Sequence, residues 1–210
     1  MENKAIVADV ALESAKRMQI LDGARRCFLA QGFDGASMND IVKAAGVSKG
    51  TVYAYFPSKE RLFEALVFHD RRFQAEQTMV IHDDGRPVED VLIELGLRMV
   101  KLFTSPESLS WVRTVIAIGV KFPDVGRAFY EAGPAYATRK VAEFLSAKME
   151  DGTLRKADAQ LAAMQFIELV QCGQMKPRLF ASRSVFDERP MEETVASGVR
   201  LFLNGLKARS

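Results

Sequence analysis

The residues best equipped for chemistry lie together between Ser37 and Lys59. Ser48-Lys49-Gly50-Thr51-Val52-Tyr53-Ala54-Tyr55-Phe56 presents a cation, two small hydroxyls and two phenols within one short run. On a helix, Lys49 and Tyr53 are four apart and share a face with Gly50 beside them, while Val52 and Phe56 share another. A helix with a cation, hydroxyls and an aromatic edge near its start suits entry into a DNA major groove by its N-terminus. Gly50 inside that helix costs roughly 1 kcal/mol against alanine, a loss that makes sense where DNA approaches the backbone closely. Groups able to meet a phosphate flank the helix: the Ser37 hydroxyl, Tyr55, and Lys59 at the start of the next helix. Free N–H groups at a helix N-terminus favour the same anion. Taken alone, however, a serine-capped helix pair is more often plain packing.

Nothing in the chain suggests catalysis. A nucleophile–base pair, paired carboxylates or a metal cluster in register would be needed, and none is found. His69 and His82 stand thirteen apart with no cysteine near them, and Cys27 and Cys172 match no metal or redox spacing. No metal, cofactor or disulfide framework is expected, and Cys27, on an apolar helical stripe, reads as core.

The elements that must hold the Ser37–Lys59 stretch are helical throughout. From Ser14 to Gln31, Ile20, Leu21, Ala24, Cys27 and Phe28 form an apolar stripe, and Gly32 follows as a stop. Ser37, three before Asp40, has capping-box spacing for a short helix that Gly46 ends. Ser48 caps the next, with Val47 and Val52 placed as a hydrophobic staple, until Pro57 stops it. Ser58 starts a longer helix through Phe73. Asp83-Asp84-Gly85-Arg86-Pro87 reads as a turn before a helix over 88–103. Further helices are expected near 107–121, 124–132, 135–150, 157–180 and 190–207. The fold is therefore expected to be all-α: a three-helix head over 14–74, with its helix-turn-helix at 37–56, and a helical body over 75–210.

Composition excludes several alternatives. The 210 residues carry 29 Lys+Arg against 27 Asp+Glu, a net charge of +2 that rules out a polybasic or histone-like protein. Residues 37–61 hold Lys43, Lys49, Lys59 and Arg61 against Asp40 and Glu60, so the local balance already equals that of the whole chain. No run reaches the roughly 20 apolar residues that span a bilayer. The start of the chain has no signal-peptide pattern. A cytoplasmic protein without membrane contact is expected.

The run Gly32-Phe33-Asp34-Gly35-Ala36-Ser37-Met38-Asn39-Asp40-Ile41, followed by Ala44 to Leu62 with Gly50-Thr51-Val52-Tyr53-Ala54-Tyr55-Phe56-Pro57-Ser58-Lys59-Glu60, resembles the TetR family of bacterial transcriptional regulators. The stretch Phe122-Pro123-Asp124-Val125-Gly126-Arg127-Ala128-Phe129-Tyr130 is similar to the AefR-like group of C-terminal domains. The resemblance implies a homodimeric repressor on a palindromic double-stranded DNA operator, released by a small molecule bound in the body. It places Ser37, Ser48, Lys49, Gly50, Thr51, Tyr53, Tyr55 and Lys59 at positions that commonly touch DNA. Met38 departs from the pattern, standing where a hydroxyl residue is frequent.

In the body, Met99, Phe103, Trp111, Val115, Phe129, Tyr136, Phe166 and Met175 are the candidate lining of a cavity for an apolar or aromatic effector. Arg113 is the one cation within the apolar helix, which favours a neutral or singly anionic ligand. The apolar content of 157–175 and 190–206 suits a dimer interface, though a buried monomer helix would look the same. Competing readings are an architectural DNA binder without an effector and, more remotely, a small helical enzyme.

Overall fold

A computed structural model describes the backbone of residues 2–180 and 189–206, and the side chains from residue 14 onward within those ranges. The first helix, α1 (Glu2–Gly35), starts well before Ser14 and is interrupted at Gly32. Residues 2–22 contain no glycine or proline, so nothing in the sequence stops the helix before Ser14. The short helices α2 (Met38–Ala45) and α3 (Lys49–Tyr55) follow, then α4 (Lys59–Thr78). The remaining elements are α5 (Val88–Thr104), α6 (Pro106–Gly119), α7 (Pro123–Ala132), α8 (Pro134–Glu150), α9 (Ala159–Val170), α10 (Met175–Leu179) and α11 (Met191–Leu206). Pro106, Pro123 and Pro134 each open a helix, where the missing N–H is no loss. No β-strand occurs among the described residues.

The single helix expected over 157–180 is in fact two. A turn at 171–174 separates α9 from α10, with Gly173 at φ 71°. Gln174, 1% exposed, fixes that turn. Its amide donates to Thr194 Oγ1 at 3.3 Å, and its carbonyl Oε1 accepts from Arg178 at 2.9 Å. The last residue of the helix expected over 190–207 lies outside the described residues.

The chain divides into two packed units: residues 1–70 with 116–129, and residues 71–115 with 130–210. This division differs from a sequential cut at residue 74, because the last turn of α6 and most of α7 group with the first unit. The Phe122 ring packs 5.7 Å from Phe33, and Arg61 reaches Asp124 at 3.5 Å.

In the first unit, α1 supplies Ile20, Leu21, Ala24 and Phe28 to a core shared with Ile41, Val52, Phe56, Leu62, Phe63 and Leu66, all buried. Burying each large side chain contributes about 1.5–3 kcal/mol. Phe63 meets Phe28 edge-on at 4.8 Å and Phe33 at 4.9 Å. Arg25 of α1 forks onto buried Asp70 of α4, with Nε–Oδ2 2.8 Å and Nη2–Oδ1 2.6 Å, and a further bond to Asp22. These bonds raise the Arg25 pKa further, so the guanidinium is permanently charged.

In the second unit, α5, α8, α9 and α11 surround Leu92, Leu95, Met99, Val141, Leu145, Phe166, Val199 and Phe202. Phe166 and Phe202 meet at 5.5 Å. Small residues set how closely these helices cross: a Cβ on Gly198 would lie 2.8 Å from the Leu169 carbonyl oxygen.

The same constraint fixes α2 on α1. A Cβ on Gly23 would lie 2.6 Å from the backbone nitrogen of Ala45, which cannot yield as a flexible side chain would. Gly23→Ala is expected to destabilise the head by about 1–3 kcal/mol through overpacking. A thermal melt read by circular dichroism checks this, and an unchanged midpoint would show that α1 and α2 do not need this contact distance.

Candidate nucleic-acid interface

The site begins with two capped helices. The Ser37 hydroxyl accepts from the Asp40 N–H and donates to Asp40 Oδ2 at 2.6 Å, while the Ser37 N–H donates to the same carboxylate at 3.2 Å. This is the capping box expected from the spacing. These bonds hold the Asp40 carboxyl below the usual carboxylate range, so the box is intact at neutral pH. Gly46 ends α2 in the left-handed region, φ 64° and ψ 34°, where a side chain would be strained. Ser48 then caps α3, accepting from the Thr51 N–H at 3.1 Å and sharing a hydrogen bond with the Thr51 hydroxyl at 2.7 Å.

With α3 started, its two faces separate. Val52 is fully buried and Phe56 nearly so, while Tyr53 is 40% exposed. Lys49 and Gly50 are exposed, and Thr51 and Tyr55 half-buried. The Lys49 ammonium sits 5.8 Å from the centre of the Tyr53 ring, and the Tyr55 ring lies 6.4 Å from that of Phe56. A Cβ on Gly50 would meet nothing closer than Ser48 Oγ at 3.8 Å, so the free chain has room for a side chain there.

Three α1 side chains that sequence reasoning missed hold this pair. Gln19 donates to the Ala45 carbonyl at 2.8 Å and Arg26 to the Ala44 carbonyl, satisfying the end of α2. Arg17 lies 5.5 Å over the Phe56 ring. The available signal was their position: Gln19 and Arg26 are seven apart, on one face beside the apolar stripe.

Lys59 is placed differently from the outward-pointing cation expected of it. Its ammonium donates to the carbonyls of Phe33 at 2.7 Å, Ala36 at 3.0 Å and Asp34 at 3.5 Å. It also lies 4.5 Å from the centre of the Phe33 ring. Of the other charges in the run, Arg61 pairs with Glu64 at 2.7 Å and Asp124 at 3.5 Å.

The candidate cavity residues are not all brought together. Met99 and Phe166 are fully buried in the body core, with Phe103 and Tyr136 packed against it. Trp111 and Val115 are buried and Met175 is partly buried, all within the second unit, whereas Phe129 falls in the first. Arg113 does not face an apolar interior. It is exposed, with Nε on the Leu179 carbonyl at 2.9 Å and Nη2 on the Arg178 carbonyl at 2.7 Å, closing the end of α10. The cation buried beside Trp111 is Arg71, 6% exposed, 5.9 Å from the indole centre and 3.2 Å from Ser108 Oγ. Its polar sequence surroundings gave no sign of that burial.

Among the described residues no group of three or more His, Cys, Asp or Glu side chains is arranged to hold a metal, and no helix is long and apolar enough to cross a membrane. Cys27 is buried, which pushes its thiol pKa up, and Cys172 is exposed.

Comparison with known proteins agrees with this geometry. Residues 20–66 match the tetR family of bacterial regulatory proteins, and residues 90–205 match the C-terminal domain of AefR-like transcriptional repressors. The chain is 31% identical over 160 residues to the HTH-type transcriptional repressor AcnR of Corynebacterium glutamicum, covering 75% of this chain and 78% of that one. Its fold is similar to a crystal structure from Mesorhizobium loti assigned to the TetR family, with a TM-score of 0.84, 26% identity and coverage of 93% and 98%. It is also similar to the flavonoid-responsive regulator FrrA, with a TM-score of 0.81, 30% identity and coverage of 94% and 100%. With a capped helix pair that exposes Lys49, Gly50 and Tyr53, the chain belongs to the TetR family of DNA-binding transcriptional regulators, with an AefR-like C-terminal domain.

Proposed function

We propose that the protein is an effector-controlled repressor that binds a palindromic operator as a homodimer, each chain entering a major groove by the N-terminal end of α3. The observation that carries this is the division of α3 into a buried side, Val52 and Phe56, and an open side, Lys49, Gly50 and Tyr53. In this reading Lys49 and Tyr53 reach base edges, Gly50 lets the backbone approach, and Ser37, Ser48, Thr51 and Tyr55 meet phosphates with the nearby helix N-termini.

A second copy fits the outer face of α9 and α11. Leu161, Met164 and Leu201 are exposed there, 48%, 44% and 63%, against a groove of about 420 Å³ lined by Gln165, Glu168, Leu169, Leu201, Phe202 and Leu206. Exposed apolar side chains on two packed helices favour an interface.

For the effector, the aromatic and sulfur side chains of the second unit (Phe103, Trp111, Tyr136, Met99, Phe166 and Met175) favour an apolar or aromatic molecule. The likeness to a regulator named for its response to flavonoids supports the same class. An architectural binder would lack such a dependence.

Three outcomes test this reading. Gly50→Ala should leave the melting temperature unchanged or raise it, yet weaken binding to a duplex selected from a random library by about 1 kcal/mol or more. Undiminished affinity would remove α3 from the groove. Leu201→Lys, on an exposed position, should leave the helical content intact and shift sedimentation from dimer to monomer; a persisting dimer would put the interface elsewhere. Calorimetric titration of a flavonoid should give weaker binding to the operator-bound protein than to the free protein, because coupling is reciprocal. Driving the binding-competent population from 99:1 to 1:99 requires about 10⁴-fold discrimination between states. Equal affinities with and without the duplex would separate the effector from DNA control.

A further inference from the structure

We propose that Lys59 serves DNA reading as a positioning residue that locks the turn between α1 and α2, and that it is not a phosphate ligand. An ammonium has three N–H donors. Those of Lys59 face three carbonyls, of Phe33, Asp34 and Ala36, at 2.7, 3.5 and 3.0 Å. These belong to the end of α1 and the turn after it, where carbonyls lack partners within the helix and a positive charge is favourable.

The remaining side of the ammonium is also committed. It lies 4.5 Å from the centre of the Phe33 ring. That ring is held by Phe63 at 4.9 Å, Phe122 at 5.7 Å and Phe28 at 5.9 Å, so it cannot follow the lysine outward. Moving outward to a phosphate would take the half-buried ammonium away from its two short contacts, the Phe33 and Ala36 carbonyls, and from the ring. Phe33 and Ala36, whose carbonyls would lose the donor, are 5% and 2% exposed.

The lock bears directly on the interface. Ala36 precedes Ser37, whose side chain and N–H build the cap of α2, and α2 carries the turn into α3. Lys59, the first residue of α4, therefore ties α4 to the turn that sets where α2 begins. On α3 itself, Lys49 is exposed. This inference rests on the reading of α3 as the groove-entering helix, and the experiment keeps the two apart.

The full-length chain is used to select a duplex from a random library, and affinity is measured for wild type and Lys59→Gln across a range of salt concentrations. A lost phosphate contact would reduce the slope of log K against log salt by about 0.9 per chain. A lost lock should weaken selected-duplex binding by about fivefold, the scale of a lost helix cap, with the slope unchanged. The loss should also shrink in a Ser37→Ala background, because coupled neighbours are not additive. A reduced slope, or full additivity with Ser37→Ala, overturns the proposal.

Should Lys59→Gln fail to fold, the wild-type chain supplies the answer through acylation by an amine-reactive ester, read by mass spectrometry. Lys59 should react more slowly than Lys49 in the free protein and be unaffected by added duplex. Fast reaction that the duplex suppresses would make it a phosphate ligand. If no duplex is selected at all, the groove-entering reading of α3 fails, while slow acylation of Lys59 in the free protein still supports the lock.

Discussion

A seven-residue helix cannot hold itself together in water, and this constraint governs the first unit. The nucleus of a helix costs more than so few hydrogen bonds return, so α3 (Lys49–Tyr55) exists only because the surrounding helices impose it. Val52 and Phe56 enter the core made by α1 and α4, Ser48 starts the helix, and Arg17 covers Phe56 from α1. The exposed face with Lys49, Gly50 and Tyr53 is what remains after those anchors are in place. Its precision comes from packing density, since a dense core transmits position rather than absorbing it.

Main-chain carbonyls claim much of the positive charge. Lys59 closes the end of α1, Arg26 closes α2 beside the neutral amide of Gln19, Arg113 closes α10, and Arg155 binds the Gly205 carbonyl at 2.7 Å near the end of α11. Each meets carbonyls that a helix end leaves without partners. A charge held in this way contributes to the long-range field around the molecule while it satisfies the chain's own carbonyls. Arg61, likewise, is tied to Glu64 and Asp124. Two of the four cations in residues 37–61 therefore have partners within the chain.

The first unit also shows how the head reaches beyond its own sequence. Phe122, from the turn between α6 and α7, touches the Phe33 ring that underlies Lys59. The end of α1, the start of α4 and the α6–α7 turn therefore meet in one aromatic cluster. Its T-shaped contacts favour particular ring orientations, so a displacement at one member is felt by the others.

Local signals in the sequence determined the all-α fold, the capping box at Ser37 and Asp40, the glycine stop at Gly46, the Ser48 cap and the two faces of α3. Caps and four-residue spacings depend on neighbours along the chain, and those are visible without a fold. What only tertiary structure decided is where long polar side chains end. Lys59 meets carbonyls some twenty-five positions earlier, Arg113 meets α10, and Arg71 is buried beside Trp111. The grouping of 116–129 with the head, and the break between α9 and α10 under buried Gln174, belong to the same class. A flexible cation satisfies whichever unpaired carbonyl or ring the fold brings within reach, and that distance is not written in the spacing of the sequence.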